Sequence, residues 1–222
     1  MAYCCRICFG DWLSCLRINM EKRSSLLIIF YRNPELGKVK TRLAKTIGDE
    51  KALAIYIKLS SNTRQITEGL AVNKVVYYSH FADTEDHWPN ASYQKRVQHG
   101  NDLGEKMSNA FADAFGNGYQ NVCIIGTDCF ELSSSIINES FAKLKNNDAV
   151  LGAAADGGYY LLGMKKWHPE IFQNKNWSTD SVSADTISNF KNLKLSFAEL
   201  EILTDVDEEK DLPVEWASQD NH

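Results

Sequence analysis

Leu26–Leu43 reads LLIIFYRNPELGKVKTRL. Its first part, Leu26–Tyr31, is a short unbroken apolar run, which suits a β-strand buried on both faces. The second part is a polar turn punctuated by Pro34 and Gly37. With Lys45 two residues beyond, it carries Arg32, Lys38, Lys40 and Arg42 against one acid, Glu35. Residues 32–45 therefore hold a formal charge of +4 in a chain of −5, leaving −9 for the remainder. One basic turn on an acidic body points to a local anion site. The acidic whole argues against a nucleic-acid track.

Outward from this stretch the pattern alternates. Asp49–Thr67 places Ala52, Tyr56, Leu59, Thr63 and Ile66 at helical spacing, with Asp49 as the expected N-cap. Further helices are expected over Leu103–Phe115, Ser133–Lys145 and Asp180–Phe190, with a short closing one over Glu208–Ala217. Strands are expected over Lys74–Ser79, Tyr93–Gln98, Asn121–Ile125, Asp148–Ala153, Tyr159–Met164 and Leu193–Phe197, and residues 80–92 read as a surface loop. Strands alternating with helices imply a mostly parallel sheet covered on both faces. The Gly157–Gly158 pair between two strands implies an antiparallel excursion late in the chain.

The 222 residues, 44% hydrophobic and 24% charged, suit a globular protein needing no disulfide support. One catalytic domain is expected over 25–217, with an extension over 1–24 and a tail over 218–222. The extension crowds Cys4, Cys5, Cys8 and Cys15 together, and Cys5 and Cys8 form a C-x-x-C. No second pair has metal-site spacing. Asp11 breaks the apolar stretch and no cleavage site follows, so a signal peptide is not expected. No run of about 18 apolar residues could span a bilayer. A cytoplasmic location is the expectation, since nothing demands an oxidising compartment. The histidines lack metal-ligand spacing, and Walker A, Rossmann and G-x-S-x-G signatures are all absent.

Ligands of open α/β sheets bind beyond the carboxyl ends of the strands. Three polar clusters fall at such ends: the basic turn, Gly126-Thr127-Asp128, and Asp156-Gly157-Gly158. In the turn, Gly37 allows close backbone approach, and Lys38, Lys40 and Arg42 supply charge for a diphosphate; a solvated surface loop is the alternative. Asp128, fixed after a buried strand, could share a hard cation with phosphate oxygens; an Asx turn or a helix cap is the alternative. Asp156 could face a sugar hydroxyl, or simply belong to a hairpin turn. Trp177, Ser178 and Thr179 could stack on and bond to a sugar, or start a helix. Asp205 and Asp207 could add metal ligands, or open an acidic helix.

Several stretches resemble the DUF2064 glycosyltransferase-like family. Phe30–Leu43 resembles its F-x-K-x-P-x-x-G-x-V-K-T-R-L opening. Gly100–Met107 resembles G-x-D-L-G-E-R-M, and Ile125–Cys129 resembles I-G-T-D-C. Asp148–Gly163 resembles D-x-V-L-G-P-A-x-D-G-G-Y-Y-L-x-G. Trp177-Ser178-Thr179 and Asp205-Val206-Asp207 follow in the family's order, so the resemblance spans about residues 26–212. Arg32 stands where the family has lysine, and Phe130 and Ala153 where it has proline.

The resemblance implies a GT-A, Rossmann-like α/β/α sandwich close to the nucleotide-diphosphosugar transferases and to MobA- and CofC-like nucleotidyltransferases. It implies that Asp128 and Asp156 are catalytic. Arg32, Gly37, Lys38, Lys40, Thr41, Arg42, Asp102 and Thr127 would bind the nucleotide. Gly157, Gly158, Tyr159, Trp177, Ser178 and Thr179 would meet the sugar or acceptor. Asp128, Asp205 and Asp207 would hold Mg²⁺ or Mn²⁺. The expected activity is sugar transfer from a nucleotide-diphosphosugar to a small acceptor. The alternatives are nucleotidyl transfer from an NTP with release of pyrophosphate, or non-catalytic nucleotide binding. Neither nucleic acid nor a membrane span is expected as a partner.

Overall fold

A computed structural model describes residues 24–213 and Trp216. The expected extension lies outside the described residues except for Ser24, and the expected tail lies wholly outside them. Seven strands form one sheet: β1 (Ser25–Tyr31), β2 (Asn73–Tyr78), β3 (Gln94–Val97), β4 (Asn121–Ile125), β5 (Ala149–Ala153), β6 (Tyr159–Met164) and β7 (Phe197–Glu199). Their order is β3-β2-β1-β4-β6-β5-β7. Every neighbouring pair is parallel except those made by β6, which runs against both β4 and β5. The expected late excursion is β6. Its tight link to β5 closes through Gly157 N–H to Ala154 O and Ala154 N–H to Gly158 O, both 3.0 Å.

Alternation along β1 sorts the core into two layers. Leu27, Ile29 and Tyr31 face one side, where they meet Tyr56 of α2 (Asp49–Glu68) and Ile136, Ile137 and Leu144 of α4 (Ser134–Leu144). Leu26 and Ile28 face the other, where they meet Met107 and Phe111 of α3 (Leu103–Gly116) and Phe190 of α5 (Val182–Asn192). Helices therefore cover both faces, and the sheet is the middle layer of an α/β/α sandwich. Among the described residues no helix is long and apolar enough to cross a membrane.

Four local expectations need correction. The basic segment 32–45 is not a turn throughout: Thr41–Ile47 is helical and becomes α1. Gly48, not Asp49, caps α2, because a positive φ of 86° is needed between two abutting helices. The 80–92 segment is not a simple surface loop. Trp88 is fully buried and packs edge-on against Tyr31 and Tyr93 at 5.8 and 5.1 Å. A buried Lys95–Asp86 pair at 2.6 Å, with Tyr78 donating to the same carboxylate at 2.6 Å, pins the loop to β2 and β3. Finally, the expected closing helix over Glu208–Ala217 lies partly outside the described residues; of those described, Glu209–Asp211 form a 3₁₀ turn, Leu212 is extended just before Pro213, and Trp216 is helical.

Candidate active site at the carboxyl edge of β1 and β4

Chain direction reverses its march across the sheet between β1 and β4, since β2 and β3 lie on one side of β1 and the later strands on the other. In such sheets the place where the strand order reverses, beyond the carboxyl ends of the strands, is the usual ligand position. The basic turn leaves β1, and Thr127–Asp128 leave β4.

The two do meet. Lys40 Nζ lies 2.6 Å from Asp128 Oδ1 and 3.3 Å from Asp207 Oδ1. Arg42 Nη2 reaches Asp207 Oδ2 at 2.8 Å. The Lys40 side chain is only 4% exposed, whereas Asp128 is 45% exposed and opens to the rim. Burial alone would lower the Lys40 pKa, but Asp128 and Asp207 outweigh it and hold the ammonium above its usual value.

Asp205 and Asp207 reach this place by tertiary pairing, not through a helix. Residues 203–205 are threaded between two loops by bridges from Ala154 to Leu203 and from Cys129 to Asp205. Val206 N–H donates to Asp128 O at 2.9 Å. The Asp205 carboxylate has no hydrogen-bond or ion-pair partner among the described residues. Burial, and then the nearby negative charge of Asp128, pushes its pKa up to about 7; Asp156 and Asp207 add to the rise. The cluster thus holds more carboxylate than its cations neutralise.

The turn is braced from behind by a residue that sequence reasoning placed only in the core. Tyr56 Oη donates to Arg32 O at 2.7 Å and accepts from Arg32 N–H at 2.9 Å. Thr127, itself buried, donates to the same phenol at 3.5 Å. The only sequence signal was Tyr56's place on the apolar stripe of α2. Tyr56→Phe strips both Arg32 backbone groups of their partner at a part-buried position. The expected loss is about 1–3 kcal/mol of stability. Urea unfolding checks it, and an unchanged midpoint would mean that the Arg32 backbone finds other partners.

Asn33 was also missed. It is 2% exposed. Its amide donates to Phe81 O at 3.0 Å and accepts from His80 N–H at 3.0 Å and Ser79 Oγ at 3.1 Å. The loops after β1 and β2 are thereby locked together.

Other expected site residues carry visible local duties. Lys38 pairs outward with Glu35 at 2.7 Å, and Arg32 donates from Nη1 to Lys38 O at 3.2 Å. Gly37 holds the turn at φ 72°, and Thr41 opens α1. Asp102 is the N-cap of α3 and accepts from Glu105 N–H at 2.8 Å, while Glu105 returns to Asn101 N–H at 2.8 Å. Asp156 accepts from Gly158 N–H at 2.9 Å, so the hairpin-turn reading holds locally, yet its charge still reaches Asp205. Tyr159 Oη donates to Met107 Sδ at 3.5 Å.

The Trp177 segment packs on the start of α3. The indole lies on Gly104, where a Cβ would stand 2.5 Å from Nε1. Neither Ser178 nor Thr179 caps α5; Ser181 holds that position, Ser178 adopts φ 66°, and Thr179 Oγ1 donates to Asn176 O at 2.7 Å. The segment is tied to the Asp156 turn, because Ser183 N–H donates to Gly157 O at 2.9 Å.

Residues 62–179, more than half of the chain, match the family model described as an uncharacterized protein conserved in bacteria, DUF2064. The chain belongs to the DUF2064 family. The match opens within α2, after the basic turn, and includes Asp128 and Asp156. A structure from Desulfovibrio desulfuricans G20, described provisionally as a nucleotide-diphospho-sugar transferase, is 30% identical over 83% of each chain, with a TM-score of 0.78. Two remoter structures share the fold with this DUF2064 protein. One is 4-diphosphocytidyl-2C-methyl-D-erythritol synthase from Anaerococcus prevotii DSM 20548, at 11% identity over 88% of this chain and 95% of the other, TM-score 0.53. The second is a cytidylyltransferase from Leptospira borgpetersenii serovar Hardjo-bovis, at 15% identity over 85% and 83%, TM-score 0.50. No curated protein matches the chain by sequence.

Proposed function

We propose that this DUF2064 protein is a transferase that grips the diphosphate of a nucleotide-diphosphosugar between its basic turn and Asp128. The observation that carries the reading is the junction of Lys40 and Arg42 with Asp128 and Asp207 beyond the carboxyl ends of β1 and β4. Cations and carboxylates meeting there suit a ligand that is itself anionic and arrives with a cation. The 30% identical D. desulfuricans structure supports the same reading.

Among the described residues no group of three or more His, Cys, Asp and Glu side chains could hold a metal by itself. The donor chemistry still fits one shared with a ligand. Asp128 is open to the rim and Asp205 has no cationic partner, and Mg²⁺ or Mn²⁺ commonly takes one or two carboxylates plus phosphate oxygens. In this reading Asp128 and Asp205, with Asp207 beside them, would hold the ion, which would offset charge on the leaving diphosphate. Lys40 and Arg42 orient the phosphates. An acceptor hydroxyl attacks the anomeric carbon, the bond from that carbon to the phosphate oxygen breaks, and the nucleoside diphosphate leaves. Asp156, on the same rim, takes the acceptor proton. Gly157, Gly158 and Tyr159 border that side.

The shared fold with cytidylyltransferases supports a second reading, attack on the α-phosphate of an NTP. Product analysis separates the two: nucleoside diphosphate from an NDP-sugar marks the first, and pyrophosphate from an NTP the second. A thermal-shift panel of NTPs and NDP-sugars with and without Mn²⁺ finds the ligand, because binding to the native state raises its melting point. No shift with any of them would sink both readings.

The double variant Lys40→Ala, Arg42→Ala is expected to weaken a bound nucleoside diphosphate by at least about 100-fold and the nucleoside hardly at all, since each charge-assisted bond contributes about 1.5–3 kcal/mol. Calorimetry on both ligands checks this. Equal losses would remove the turn from the phosphates.

A further inference from the structure

We propose that the Lys40 ammonium is the resident cation of the carboxylate cluster, and that it excludes a divalent ion until an anionic ligand draws it away. The inference rests on the reading of the cluster as a metal–diphosphate site, and concerns how that site loads.

The ammonium sits between two carboxylates contributed by different segments. It is 2.6 Å from Asp128 Oδ1 and 3.3 Å from Asp207 Oδ1, and its side chain is almost wholly enclosed. Arg42 holds the other oxygen of Asp207. Both oxygens of Asp207 and one of Asp128 are therefore committed to the protein's own cations. Asp205 alone is left without a partner, and no ready-made set of three ligands exists among the described residues. A divalent ion entering with Lys40 in place would meet a positive charge within hydrogen-bonding range, and would find too few free oxygens.

The backbone supplies the means of release. Lys40 has φ 47° and ψ 43°, a left-handed conformation unfavourable for a residue with a Cβ. It is the N-cap of α1 and makes no side-chain cap bond there. Such a conformation persists only where surrounding contacts enforce it, and the two ion pairs are those contacts. Gly37, also at positive φ, lies three residues earlier and gives the turn a second soft point. A diphosphate arriving at the rim offers Lys40 and Arg42 new anions. As they turn toward it, oxygens of Asp128 and Asp207 become free beside Asp205, and the phosphates complete the coordination. The anionic ligand thus binds first or together with the ion, and each raises the other's affinity by the same factor.

The test is Mn²⁺ binding, read as free Mn²⁺ by electron paramagnetic resonance. The proteins are the wild type, Lys40→Met, Lys40→Arg, and Lys40→Met combined with Asp128→Ala. With Mn²⁺ alone, Lys40→Met is expected to bind at least tenfold more tightly than the wild type. Lys40→Arg should stay like the wild type, and the double variant should lose the gain. In the wild type, adding CDP, UDP or GDP is expected to tighten Mn²⁺ at least tenfold for the nucleotide that binds. A folded Lys40→Met with wild-type affinity for Mn²⁺ overturns the proposal. Should Lys40→Met fail to fold, the wild type decides: Mn²⁺ affinity that is the same with and without a bound nucleotide overturns it. If no nucleotide binds but Lys40→Met still gains Mn²⁺, the resident-cation role stands and the nucleotide reading falls.

Discussion

Asp128→Ala is expected to lower Mn²⁺-dependent nucleotide affinity by about 100-fold, equivalent to about 2.7 kcal/mol, while leaving the protein folded. Two effects compete. Removing one member of a buried ion pair can cost about 3–5 kcal/mol of stability. Here that cost is reduced, because Asp207 still holds Lys40 and Asp128 is 45% exposed, where water screens the pair. The loss of Asp128 also relieves Asp205, whose carboxyl it helps to push up. The functional loss is therefore expected to exceed the structural one. Calorimetry with and without Mn²⁺, beside a circular-dichroism melt, measures both. Unchanged affinity together with unchanged metal dependence would remove Asp128 from the site.

Gly157→Ala should be the most damaging of the single glycine-to-alanine changes on the site's rim. Gly157 has φ 89°, so any side chain there is strained. An added Cβ would also run into the Asp180 backbone, at its O, C and Cα atoms. Backbone cannot step aside as a side-chain tip can, so the 156–158 turn and the start of α5 must separate. The expected cost is about 2–4 kcal/mol, the sum of dihedral strain and displaced backbone. Gly118→Ala is the internal control. It has nearly the same φ, 86°, and nothing within 4 Å of its Cβ, so it should lose only about 1 kcal/mol. Equal losses in the two variants, by urea unfolding, would show that the contact with Asp180 is not what fixes Gly157.

Much of this was legible from the chain. The apolar run of β1 and the helical spacing of Tyr56, Leu59 and Thr63 gave the layers. Gly157–Gly158 gave the one antiparallel step, and the family motifs named Asp128 and the basic turn. What stayed hidden depends on distance in space. Asp207 lies 167 residues from Lys40, and only the threading of residues 203–205 between two loops brings them together. The same charges also admitted two partners. A lysine in a basic turn suggests phosphate, whereas the structure shows it neutralising acids. Residues 80–92 were read as a surface loop because Pro89 and Asn90 are loop-forming; the burial of Trp88 comes from the rings of Tyr31 on β1, His87 beside it and Tyr93 just before β3. Asp102 and Glu105 show the converse, since their motif is accounted for by the start of α3.

The position of β6 bears on the order of assembly. β5 and β6 are joined by a five-residue link and pair antiparallel, from Ala149–Met164 to Ala153–Tyr159, so their ends need travel little to meet. By contrast β1 must find β4 with Ser25 opposite Asn121, a far larger loop to close and a slower kind of pairing. The 149–164 hairpin can therefore form as a local unit and dock on β4 as a piece. It would carry Asp156 to the rim before the β1 turn and its lysine arrive.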